Sequence, residues 1–178
     1  IRARLGVPER ATCVGSSQKE GVGWGGGDEP KRVKGPDVFL AAVEQLKPRV
    51  PGLFVLLTGP ARGYLKAGLE RLGIPYAHHH FDDYRALVPC YHALYLIASR
   101  VEGGPQAFLE SWATGVPVVS TRMGMPADLI EHGRNGLLAN VEDAAGLADA
   151  AAALLDDPAL RERCRAAALA DVRGYAWP

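Results

Sequence analysis

Leu53-Phe54-Val55-Leu56-Leu57 is an unbroken apolar run, and residues 61–72 follow it with helical spacing, closed by Gly73-Ile74-Pro75. A short run of β-formers with no polar alternation reads as a strand buried on both faces. Glycine just past the last helical turn, with proline beyond it, reads as a helix stop. The same alternation recurs on either side of this unit. Thr12-Cys13-Val14-Gly15, Leu94-Tyr95-Leu96-Ile97 and Val116-Pro117-Val118-Val119 read as further strands, with weaker ones at 76–78 and 136–138. Residues 37–46, 107–114, 142–155 and 159–172 read as helices. Buried strands alternating with helices imply right-handed βαβ units. The expected fold class is therefore α/β: a Rossmann-like, doubly wound parallel sheet forming a single domain.

Composition narrows the function. The chain has 178 residues, with 20 Lys+Arg balanced by 20 Asp+Glu. A chain of this size buries about 70% of its unfolded surface, enough for one core and too little for two ordinary domains. Hydrophobic residues at 48% and charged residues at 22% argue against disorder. Zero net charge without a basic run removes the sequence-independent attraction on which nucleic-acid binders depend, so no nucleic-acid partner is expected. No apolar stretch approaches the ~18 residues that span a bilayer. Cys13, Cys90 and Cys164 are odd in number and widely spaced, fitting neither a disulfide framework nor a zinc site. They read as reduced thiols of a cytoplasmic protein, and no metal site is expected. The sequence opens without Met and stops at Tyr175-Ala176-Trp177-Pro178, where a new element begins. Both ends are expected to be cut from something longer.

Residues 16–36 are the one long irregular stretch. Within them, Gly21-Val22-Gly23-Trp24-Gly25-Gly26 satisfies the G-x-G-x-x-G pattern of dinucleotide sites. That pattern works only where a strand turns directly into a helix whose first amides face a pyrophosphate. Here Lys19 and Glu20 precede the glycines, and no helix can begin until after Pro30. A nicotinamide role is therefore not expected, and a surface loop or a donor-phosphate loop remains.

The stretch Ser99-Arg100-Val101-Glu102-Gly103-Gly104-Pro105-Gln106-Ala107-Phe108-Leu109-Glu110 carries more chemistry. It leaves a buried strand, turns through paired glycines and enters a helix with Pro105 suited to its first turn. Exposed amides at such a start are donors for an anion, and the glycines remove side-chain bulk there. Glu110 lies roughly 8 Å farther along the helix axis. Two acceptor-only carboxylates so spaced suit a polyhydroxyl ligand on either side of a diphosphate, although paired glutamates are also common as solvated charges.

Glu102 and Glu110, with seven residues between them, resemble the E-x7-E motif of retaining nucleotide-sugar glycosyltransferases of the GT-B fold, in the "glycosyl transferases group 1" family. Ala113-Thr114-Gly115-Val116-Pro117-Val118-Val119-Ser120, Asp128-Leu129-Ile130, Gly133 and Asn135-Gly136-Leu137-Leu138 follow in the family's order, and Lys34-Gly35-Pro36-Asp37 resembles its lysine-glycine before the first helix. The resemblance covers nearly the whole chain as the family's C-terminal, donor-binding domain. It implies that Glu102 contacts hydroxyls of the transferred sugar and that Lys34 binds the diphosphate and stabilises the departing nucleotide. It implies that the backbone of Gly103, Gly104 and Pro105 lies against sugar and diphosphate, and that Glu110 accepts from the ribose hydroxyls. The chain departs from the family after its first strand, where Gly-Arg is usual and Gly15-Ser16-Ser17-Gln18-Lys19 stands instead. Ser16 and Lys19 are the donor-site candidates there, although a lysine does not reproduce an arginine's bidentate fork.

The resemblance further implies a nucleoside diphosphate sugar as donor substrate, no cofactor and a missing N-terminal domain that binds the acceptor. Contact with a membrane is expected only through a lipid-linked acceptor. The isolated half should bind without efficient turnover. A non-catalytic nucleotide or sugar-nucleotide binding module is the alternative. Among other candidates, His78-His79-His80 with Asp82-Asp83 has the composition of a metal cluster, but adjacent strand residues point to opposite faces. One of these histidines is instead a candidate for the base pocket. Ser99 lacks the surroundings of a nucleophile elbow. Residues 58–62 read as a strand-to-helix turn, Phe108 and Trp112 as core, and Gly124 and Met125 as neighbours of the nucleotide.

Overall fold

The computed structural model describes residues 2–80 and 93–175. Among them, strands and helices alternate as β1 Thr12–Ser17, α1 Pro36–Leu46, β2 Leu53–Thr58, α2 Gly63–Leu72, β3 Tyr76–His79, β4 Leu94–Ile97, α3 Gln106–Ala113, β5 Val118–Thr121, α4 Gly124–Leu129, β6 Leu137–Ala139, α5 Ala144–Asp156 and α6 Pro158–Asp171. All the strand pairings are parallel, in the order β3-β2-β1-β4-β5-β6. This is the expected doubly wound, Rossmann-like α/β sheet. Its order reverses between β1 and β4, which opens a crevice at their carboxyl ends.

The apolar runs lack polar alternation because helices cover both faces. Val14, Val55, Leu57, Leu96 and Val119 point to one side, where they meet α1, α2 and α5. Tyr95, Ile97, Val118 and Leu138 point to the other and meet Phe108 and Trp112 of α3 and Ala168 of α6. Phe108 and Trp112 are fully buried with ring centroids 4.5 Å apart, so both are core, as expected. They fix the helix that carries Glu110. A third group, Leu5, Val7, Cys13, Phe54 and Leu56, closes the sheet under the N-terminal segment.

Element ends differ from expectation where backbone donors decide. β5 starts at Val118 because Pro117 has no N–H; the Pro117 carbonyl still accepts from Tyr95 N at 2.8 Å. Pro105 caps α3 from outside, with φ −68° and ψ 114°, rather than entering its first turn. Helix α4 is not among the expected helices; it is six residues long and holds Gly124 and Pro126. Gly73 does end α2 in the left-handed region, its N–H reaching Leu69 O and Glu70 O. Asp143 and Asp157 cap α5 and α6 with their side chains.

Candidate active site

Lys34 and Glu102 are 68 residues apart in sequence and meet at the crevice, with Lys34 Nζ 2.5 Å from Glu102 Oε1. Lys34 ends a 3₁₀ turn, Arg32–Lys34, and Gly35 follows at φ 63°. There the backbone runs so close to the β4 exit that a Cβ on Gly35 would collide with the Ala98 carbonyl. Only glycine combines that conformation with that approach. The exit of β4 is then laced to the same segment. The amides of Arg100 and Val101 donate to Val33 O at 2.8 and 3.2 Å. Arg100 reaches both Asp37 carboxylate oxygens at 2.9 Å and Arg32 O at 2.6 Å. The hydrogen bond from Arg100 leads the effects that hold Asp37 down at about 2. Ser99 Oγ donates to the second Glu102 oxygen at 3.0 Å, and Gln18 Nε2 donates to Lys34 O at 3.2 Å. Ser99 thus positions a carboxylate and has no triad around it.

Gly103 and Gly104 carry the chain from Glu102 into α3. Nothing lies within 4 Å of where a Gly103 side chain would begin, and no side chain caps α3. The α3 N-terminus therefore keeps donor groups suited to an anion. Pro105 is buried, whereas Gln106 and Glu110 are exposed one helical turn apart. They border a cleft of about 740 Å³ that continues past Leu109 and Ala113 to Leu169 and Val172. Gly124 and Met125 brace the glycine turn from outside, with Met125 N donating to Gly103 O at 2.8 Å. The structure thus brings Lys34, Glu102, Gly103 and Gly104 together, with Glu110 farther along the same helix.

Ser16 in β1 and Lys19 just past it are engaged elsewhere. Ser16 is 1% exposed, and its hydroxyl accepts from Arg62 Nη2 at 2.7 Å. Lys19 Nζ sits 3.5 Å from the centre of the Trp24 ring, a cation–π contact. Beneath them lies a feature that the sequence did not signal. Arg62, fully buried, donates to the carbonyls of Ser16, Gln18 and Thr58 at 3.1, 2.6 and 2.5 Å. Its Nε lies 2.7 Å from the equally buried Glu20, off the hydrogen-bonding line. Burial pushes the Glu20 carboxyl up to about 7 against the pull of Arg62, and burial lowers Arg62. Residues 58–62 are thus a strand-to-helix turn, and its arginine clamps the β1 exit from inside.

The G-x-G-x-x-G stretch does not run directly into a helix, as the dinucleotide pattern requires. Its chain folds across α2, whose first amides, Gly63 N and Tyr64 N, donate to Gly26 O and Gly27 O at 2.8 and 2.9 Å. Gly21 and Gly27 lie so close to Ala61 that neither has room for a Cβ. Of the histidines, His78 Nε2 lies 2.7 Å from Gly59 O and His79 Nε2 lies 2.9 Å from Leu5 O, which requires a proton on each of those nitrogens. Among the described residues no three His, Cys, Asp or Glu side chains converge as metal ligands; Asp82 and Asp83 lie outside those residues. None of the described helices is long and apolar enough to cross a membrane.

Comparison with known proteins matches residues 30–171 to the family described as glycosyl transferases group 1. The chain belongs to this family. It is 35% identical over 160 residues to a D-inositol 3-phosphate glycosyltransferase of Pseudarthrobacter chlorophenolicus, covering 83% of the chain and 37% of that protein. It is 34% identical over 140 residues to the lipopolysaccharide core biosynthesis mannosyltransferase LpsB of Rhizobium meliloti, covering 70% and 38%. The chain thus spans less than half the length of these curated relatives. Among solved structures, the fold matches Anabaena Alr3699/HepE in complex with UDP-glucose, with TM-score 0.81, 22% identity, and coverage of 97% of this chain and 46% of that one. It also matches the C-terminal domain of a glycosyl transferase group 1 family protein, LpcC of Francisella tularensis, with TM-score 0.78, 17% identity, and coverage of 97% and 89%. The fold is therefore that of a GT-B C-terminal domain.

Proposed function

We propose that this chain is the donor-binding half of a retaining glycosyltransferase that moves a sugar from a nucleoside diphosphate to a hydroxyl acceptor. The observation that carries this reading is the meeting of Lys34 and Glu102 beside the open glycine turn at the sheet's reversal point. A diphosphate set against the α3 amides lies within reach of the Lys34 ammonium, which neutralises the charge that develops as the nucleotide departs. Glu102 accepts from hydroxyls of the transferred sugar, and Glu110 accepts from the ribose. Gly103 and Gly104 let the backbone approach, and Pro105 sets the entry into α3.

Lys19 contributes charge from the rim, and Ser16 shapes the β1 exit from beneath through Arg62. Retention then follows from front-face attack without a protein nucleophile. The complete enzyme is cytoplasmic, uses no cofactor and takes its acceptor from an N-terminal domain. It meets a membrane only if the acceptor is lipid-linked.

The test is a melting-temperature panel of the chain with UDP, GDP, ADP and NAD, together with Glu110→Ala. A site saturated at 100 times Kd gains ~2.7 kcal/mol, a shift of roughly 5–10 °C. One diphosphate should shift the unaltered chain, and shift the variant only about half as far at the same concentration. A shift with NAD alone would contradict the reading. If, in a chain that carries both domains, Glu102→Gln and Glu110→Ala changed only affinity, the alternative of a non-catalytic nucleotide or sugar-nucleotide binding module would stand instead.

A further inference from the structure

The contact between Lys34 and Glu102 does not depend on two mobile side chains finding one another. Their segments are laced by Arg100 to Asp37, by two amides to Val33 O and by Arg100 to Arg32 O. Each Glu102 oxygen is also engaged, one by the Lys34 ammonium and the other by the Ser99 hydroxyl. The carboxylate is therefore held in place beside the cation that a phosphate would seek. At 14% side-chain exposure for Glu102 and 24% for Lys34, the pair is only partly screened by water.

Two ligands meet this arrangement differently. A sugar nucleotide presents hydroxyl donors to Glu102, and its diphosphate is esterified at both ends. A free nucleoside diphosphate presents no such hydroxyls, and its terminal phosphate, with a second pKa of about 6, carries one more negative charge at neutral pH. A carboxylate only accepts hydrogen bonds, so it welcomes the first and repels the second. Specificity built from an attractive and a repulsive element at one residue is a general device.

Resting on the donor-site reading above, we infer that the Lys34–Glu102 pair discriminates against the free nucleoside diphosphate in favour of the sugar nucleotide. Glu102 competes with the terminal phosphate for Lys34, and the departed nucleotide is held less tightly than the donor that brought it.

Titration calorimetry of the chain with UDP-glucose and with UDP tests this, using Glu102→Gln and the charge-keeping Glu102→Asp. GDP-mannose with GDP and ADP-glucose with ADP form parallel arms. Glu102→Gln should tighten the free diphosphate by about threefold or more and weaken the sugar nucleotide, so that the preference narrows by roughly tenfold. Glu102→Asp should keep the discrimination. The gain in Glu102→Gln should shrink in high salt and shrink again toward pH 5, where most of the terminal phosphate has lost its extra charge. Weakening of both ligands, or an unchanged affinity for the free diphosphate at neutral pH, overturns the inference and leaves Glu102 a plain sugar contact. Binding of none of these ligands by the unaltered chain overturns the donor-site reading itself, and the inference with it.

Discussion

Two glycine-rich segments leave neighbouring strands of this sheet, and they do opposite work. The loop after β1 holds Gly21, Gly23, Gly25, Gly26 and Gly27 and satisfies a phosphate-binding pattern. Its carbonyls occupy the first amides of α2, and at Gly21 and Gly27 the Ala61 residue fills the space a side chain would need. The turn after β4 has only Gly103 and Gly104, yet it runs straight into α3, leaves open space at Gly103 and holds Glu102 against Lys34. Glycines that make room for the protein's own backbone and glycines that make room for a ligand look alike in sequence. What separates them is whether a helix follows at once, and what already covers that helix's N-terminus.

Substitution should separate the two uses. The largest effect is expected at Gly27→Ala, where φ is 83° and a methyl group would meet the Ala61 backbone. Left-handed strain and overpacking together should cost about 3 kcal/mol of stability in chemical denaturation. Gly103→Ala should change stability by no more than about 0.5 kcal/mol while weakening sugar-nucleotide binding about tenfold in calorimetry. If the two variants changed places, the comparison would fail. Glu110→Ala sharpens it further. It should melt like the unaltered chain and lose about tenfold in affinity for every nucleotide that binds, from hydrogen bonds worth about 1.4 kcal/mol.

A pH series tests the clamp under the β1 loop. Glu20 is raised from its ordinary 4.5 to about 7 in the fold. Its contribution to stability is therefore fully present below about pH 4.5 and is lost as pH rises through about 7. Relative to Glu20→Gln, the unaltered chain should gain stability on acidification from pH 8 to about 5. The difference curve matters, because His78 is lowered by burial and acts in the opposite sense below its ordinary 6.5. A flat difference would mean that Glu20 titrates as an ordinary carboxylate, which its complete burial argues against.

Much of the fold was legible because burial on both faces leaves a local mark. The runs at Leu53–Thr58 and Leu94–Ile97, and the stop at Gly73, need no distant information. Helix α4 left no such mark, being six residues long with a glycine and a proline. The site was legible as a set of residues, since Lys34, Glu102, Gly103, Gly104 and Glu110 carry a family pattern. Their pairing was not legible. Nothing local ties Lys34 to Glu102 or lays Lys19 on Trp24 instead of beside that pair. Arg62 and Glu20 look like solvated charges 42 positions apart in sequence and prove to be wholly buried. Long-range electrostatic pairings are made by the topology, and they become visible only once the strand order is known.

Amide hydrogen exchange of the chain with and without saturating UDP-, GDP- and ADP-glucose tests the central claim most directly. The sugar nucleotide that binds should slow exchange at residues 103–107 and leave residues 21–27 unchanged. Slowed exchange at 21–27 with none at 103–107 would put the ligand on the wrong glycines and contradict the account.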